Sequence, residues 1–107
     1  MESRGNDVSC SAGGVNKFAS TLHWGPSWDN NKWDLTHGEY THTEALSDAY
    51  HVYGLLWTPD RLITYIDTED NVVLDVDMKT QSMWEKGGFN SNLDNPWRDQ
   101  PNNAPFN

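Results

Sequence analysis

The stretch "HVYGLLWTPDRLITYIDTEDNVVLDVD", residues 51–77, decides the fold class. Its first eight residues place His51, Tyr53 and Trp57 on one parity around Leu55, the period of a β-strand. Pro59 suits the second position of a turn, and "LITYID" runs back. "TEDN" then turns the chain again into "VVLDVD". Three strands joined by closely spaced turns make an antiparallel meander, which favours a sandwich or a barrel. Strands are therefore expected over 51–58, 61–67 and 72–77.

Upstream, "KFASTLHW" at 17–24 predicts a further strand. Alternation puts Thr21 and His23 on one face and Leu22 and Trp24 on the other, which assigns Trp24 to the core. Residues 25–44, "GPSWDNNKWDLTHGEYTHTE", read as a long polar loop carrying Trp28 and Trp33. Loops of that length in compact domains are usually functional. The last thirty residues, rich in Gly, Asn and Pro, offer one helical turn near Met83 to Lys86 and otherwise loop.

The 107 residues fit one small domain by length. Six Trp, four Tyr and three Phe make the apolar material unusually aromatic, either as lining for a ligand cleft or as core filling. Seven basic residues against sixteen acidic ones give a net charge of −9, which argues against nucleic acid or an anionic membrane as partner. An uncharged partner suits this balance. Sugars present an apolar ring face to aromatics and hydroxyls to Asp, Asn, His and Glu. No apolar run approaches a membrane span.

Cys10 is the single cysteine, so no disulfide can close within the chain and no zinc-binding cysteine spacing exists. His37, His42, Glu39 and Glu44 interleave in "HGEYTHTE", yet their spacing matches no ligand pattern. "DTEDN" lacks the twelve-residue loop and terminal Glu of a calcium site. From these spacings neither a metal nor any other cofactor is expected.

The order of blocks is more specific than any one block. "MESRGN", "STLHWGP", "HVYGLLWTPDRLITYID", "WEKGGF" and "NPWR" leading to "APFN" resemble the central part of family 16 glycoside hydrolases. The likeness is strongest to the animal branch of β-1,3-glucanases and β-1,3-glucan-binding (lipopolysaccharide and β-1,3-glucan-binding) proteins. It spans nearly the whole chain. It implies an all-β fold, a jelly-roll sandwich of two antiparallel sheets. Residues 1–107 would then be an internal segment of one such domain, incomplete at both ends and poorly soluble by itself because sheet edges stay uncovered.

The family signature is a strand Glu-x-Asp-x-x-Glu, with the first Glu as nucleophile and the last as general acid/base. Glu2, followed by Ser3-Arg4-Gly5-Asn6, matches the last Glu. The resemblance thus assigns Glu2 the acid/base role in retaining hydrolysis of β-1,3-glucan, a reaction that needs two carboxyl groups about 5 to 5.5 Å apart. The two signature glutamates have opposite parity, so both reach a cleft only across a bulge. By this resemblance the nucleophile would lie upstream of residue 1, which keeps open a non-catalytic receptor for β-1,3-glucan or lipopolysaccharide in innate immunity. The resemblance also implies secretion.

His23 has the parity to face such a cleft and to bond sugar or Glu2. Trp28 and Trp97 could stack on glucose units, although each could as simply pin its own loop to the sheet. Arg4 and Asn6 could orient Glu2 or meet a sugar hydroxyl.

Overall fold

The computed structural model describes residues 1–3, 5–6 and 13–106. Its framework is two antiparallel sheets with little helix, an all-β sandwich fragment. The first sheet pairs β1 (Lys17–Thr21) with β2 (His37–Thr41), and the second runs in the order β3 (Tyr53–Trp57), β4 (Arg61–Ile66), β5 (Val72–Asp77). Among the described residues no helix is long and apolar enough to cross a membrane.

The meander forms as its alternation dictates. Leu62, Thr64 and Ile66 point inward from β4, and Val73, Leu74 and Val76 from β5, with a register shift at Thr64/Tyr65 that re-aims the strand. Arg61, which stands opposite Asp77, reaches diagonally to Asp75 two residues away and forms a two-armed ion pair at 2.8 and 2.7 Å on the exposed face. The strand expected at 17–24 is shorter: pairing stops at Thr21, after which Leu22 N–H donates to the Thr36 carbonyl at 3.0 Å.

One element overturns the sequence expectation. Residues 37–41, read as loop, form β2, in register with β1 from Lys17↔Thr41 to Thr21↔His37. "HGEYT" has weak strand preference of its own, so the pairing and the cover of β5 decide its conformation. Gly38 is part of the reason, because a Cβ there would collide with the Val73 carbonyl of β5.

The two sheets stack by the inner faces of β1 and β5. Phe18 (1% exposed) meets Ile66 and Val73, and Ser20 accepts a buried hydrogen bond from Thr64 at 2.9 Å across the layers. Trp24 is buried beside Leu62, Leu74, Val76 and Met78, as its parity requires. Its indole N–H donates to Thr36 Oγ1 at 2.8 Å, which satisfies the one polar atom the burial carries inside. Helix α1 (Met83–Gly87) closes the core with Met83, its N-cap Ser82 accepting from Glu85 N–H at 3.2 Å.

Strand β3 is different in kind. Tyr53, Leu55, Leu56 and Trp57 are all about half exposed, so this edge strand presents apolar side chains on both faces. Only Gly54 is covered, by the Tyr65 ring.

Candidate functional site

Glu2 sits against β1 as a short third strand. It exchanges both backbone hydrogen bonds with Ala19 at 2.8 Å, the mark of a directly opposed antiparallel pair. Opposed residues share a face, so Glu2 stands on the side of Ala19, Thr21 and His23. Across β1 the same register brings His37 beside Thr21 and Glu39 beside Ala19. The outer face of this sheet is therefore polar, whereas its inner face carries Phe18, Ser20 and Tyr40.

A groove of about 260 Å³ runs along that face, lined by Met1, Glu2, Ala19, Thr21 and His23. His23 also borders a shallower hollow with Trp24, Gly25, Ser27, Trp28 and Asn31, so the two join at the imidazole. Asn31 Nδ2 lies 3.0 Å from His23 Nδ1 and holds the ring. Thr21 Oγ1 and His37 Nδ1 are 2.7 Å apart, and His37 Nε2 reaches Glu39 Oε1 at 3.1 Å. Trp33 meets His37 edge to face with centroids 5.9 Å apart.

At the far rim stands Trp28, 93% exposed, on a 3₁₀ turn that begins with Ser27 and Asp29 hydrogen-bonded at 2.8 Å. Gly25 permits the tight approach behind it: φ is 150°, and a Cβ would strike the Asn30 carbonyl. The indole is thus presented on an anchored turn with its faces in solvent, the arrangement a stacking platform needs.

The structure brings together Glu2, His23 and Trp28 and leaves the other sequence candidates elsewhere. Trp97 lies half-buried in an aromatic cluster, 6.3 Å from Trp24, 5.9 Å from Trp84 and 6.2 Å from Phe89 by centroids. Asn6 is exposed in a turn and does not line the groove. Arg4 and Cys10 lie outside the described residues.

From the sequence, Trp33 is, like Trp28, a ring that could stack on glucose or pin its own loop, whereas His37 and Glu39 are weighed only as metal ligands, because their segment reads as loop and not as the strand that pairs with β1. The signal was present: His37, Glu39 and Thr41 alternate with Gly38 and Tyr40. Chemically, Glu2 and Glu39 flank Ala19 from opposite sides. Their backbones are two strand spacings, or about 10 Å, apart, so the carboxyls reach retaining distance only if both lean over Ala19.

The outer face of the first sheet thus offers polar side chains along a groove, next to a hollow bordered by an exposed indole. In sequence the chain is similar to the β-1,3-glucan-binding protein of Penaeus monodon, 42% identical over 108 aligned residues. The alignment takes in 99% of this chain and 28% of that protein, so the chain spans little more than a quarter of its relative's length. No family profile matches, and no solved structure is significantly similar.

Proposed function

We propose that this chain forms part of a β-1,3-glucan-binding site in a protein of the glucanase and glucan-binding family. The observation that carries the reading is the succession of Glu2, His23 and Trp28 along two hollows that share His23, in a chain 42% identical to a protein named for binding this polymer. Glucose rings would stack on Trp28 while their hydroxyls meet His23, Thr21 and Glu2. Among the described residues no Lys or Arg lines the groove, which suits a neutral polysaccharide better than a phosphorylated one; lipopolysaccharide is the secondary ligand the resemblance suggests. The half-exposed apolar faces of β3 support the reading that these strands belong to a larger jelly roll. Secretion and a role in innate immunity follow from the family reading.

The experiment is laminarin binding by calorimetry with the intact protein, wild type against Trp28→Ala. A loss of affinity with unchanged stability supports the reading, and equal affinity overturns it.

The position of Glu2 favours a second reading, retaining hydrolysis with Glu2 as acid/base. The relative's name speaks of binding alone. Release of reducing sugar from laminarin by the intact protein, abolished in Glu2→Gln, would establish the enzyme; binding without release would establish the receptor.

A further inference from the structure

Away from the groove, at the opposite end of the sandwich, three chain segments bring two imidazoles and a carboxylate together. His42 follows β2, His51 precedes β3 and Asp67 follows β4. Each side chain offers one ligand atom, and those atoms lie within 4.8 Å of one another. We propose that His42, His51 and Asp67 bind a divalent cation of the zinc class, which staples one sheet to the other.

The backbone under the cluster is braced on every side. His42 N–H donates to the Asn16 carbonyl at 2.8 Å, and Asn16 Nδ2 returns a bond to the His42 carbonyl at 2.8 Å. Asp67 N–H donates to the Val52 carbonyl at 2.7 Å, while Val52 N–H donates to Asp67 Oδ1 at 3.0 Å. Asp67 holds a left-handed φ of 63°, rarely adopted by residues other than Gly, Asn and Asp, and that conformation turns its carboxylate toward His51.

The side chains are oriented as ligands are. His51, 7% exposed at the side chain, sits with Nδ1 2.9 Å from Asp67 Oδ2. The His42 and His51 rings meet at 4.8 Å between centroids. Nδ1 of His42 lies 3.2 Å from both the Glu44 carbonyl and the Glu44 N–H, contacts that hold the ring in place; the tautomer that donates to the carbonyl keeps the Nε2 lone pair for an ion, with the outer bond usual for a metal-bound histidine.

Bonds of about 2.0 to 2.1 Å in a tetrahedral site separate ligand atoms by about 3.3 Å. The widest pair must close by up to about 1.5 Å, which rotation of the half-exposed His42 supplies. Two nitrogens and one oxygen favour zinc over the hard cations calcium and magnesium, and solvent at Asp67 leaves room for a water as fourth ligand. Local spacing in "HGEYTHTE" could not show the site, because two of its three members come from other strands.

The test is zinc titration of the intact protein by calorimetry and by the visible absorption of Co²⁺ as a surrogate. One ion per chain is expected, with no calcium binding at the same concentrations. His42→Ala and Asp67→Asn should each weaken zinc binding at least tenfold, whereas His37→Gln should leave zinc affinity unchanged. Zinc should also raise the wild-type Tm, a readout that survives if a variant folds poorly. Absence of stoichiometric zinc binding, or equal affinity in His42→Ala and Asp67→Asn, would overturn the proposal.

Discussion

Trp28 and Trp24 stand four residues apart and serve opposite ends. Trp24 is 5% exposed, bonded through its indole N–H and packed on Phe89 and Trp97. Trp28 is 93% exposed on a turn held by Ser27, Asp29 and Asn30. The aromatic knot of Trp24, Trp84, Phe89 and Trp97 has already used its ring faces on itself, with Lys32 5.5 Å over Phe89 as a lid. The groove rim has not. Aromatic residues therefore point to a ligand only where tertiary packing leaves a face open, and a composition rich in Trp does not distinguish the two cases.

Substitutions can break that contrast. Trp24→Ala should have the largest effect on stability, about 3 to 5 kcal/mol, because it leaves a cavity in the core. Chemical denaturation of the intact protein measures it, and a loss below about 1 kcal/mol would dissolve the distinction. Glu2→Gln keeps shape and hydrogen bonding but removes the transferable proton. If the protein is hydrolytic, laminarin turnover should fall by about 10² to 10⁴, with glucan affinity nearly unchanged.

Trp97→Ala should lower stability before it lowers glucan affinity at a temperature where the protein stays folded. The reverse order would move Trp97 from the knot to the ligand. Trp28→Ala should change stability by less than about 0.5 kcal/mol while weakening laminarin binding about 2- to 12-fold, the worth of one stacked ring.

The smallest effect is one of pH, at the exposed turn after β5. Asp77 caps the turn after β5, taking N–H bonds from Lys79 at 2.8 Å and Thr80 at 3.0 Å and the Thr80 hydroxyl at 2.7 Å. The Thr80 backbone and hydroxyl bonds, then that of Lys79, bring its carboxyl from the ordinary 3.8 down to about 2. A lowered folded-state value stabilises above the unfolded one and is lost as pH falls through the folded one. The stability gap between wild type and Asp77→Asn should therefore be present at neutral pH and narrow between about pH 4 and pH 2, read by urea unfolding.

The meander was legible because its information is local. Alternating apolar residues and turn chemistry over 51–77 set β3, β4 and β5 to within two residues at either end. Thr21 and His23 share a face by parity alone, and the parity of Trp24 sent it inward. Strand β2 was not legible, because Gly38 and Glu39 acquire strand conformation from β1 beside them and β5 beneath.

The sequence by itself determined an all-β chain, an acidic balance ill-suited to phosphates, and an order of blocks that resembles a glucan-binding family. Tertiary structure alone decided which tryptophans keep a free face, that His37 and Glu39 come to lie beside Thr21 and Ala19 on one sheet face, and that His42 meets His51 and Asp67. The physical reason is common to all three. Each depends on which strands lie side by side, and strand pairing joins residues whose separation along the chain carries no period for a sequence to display.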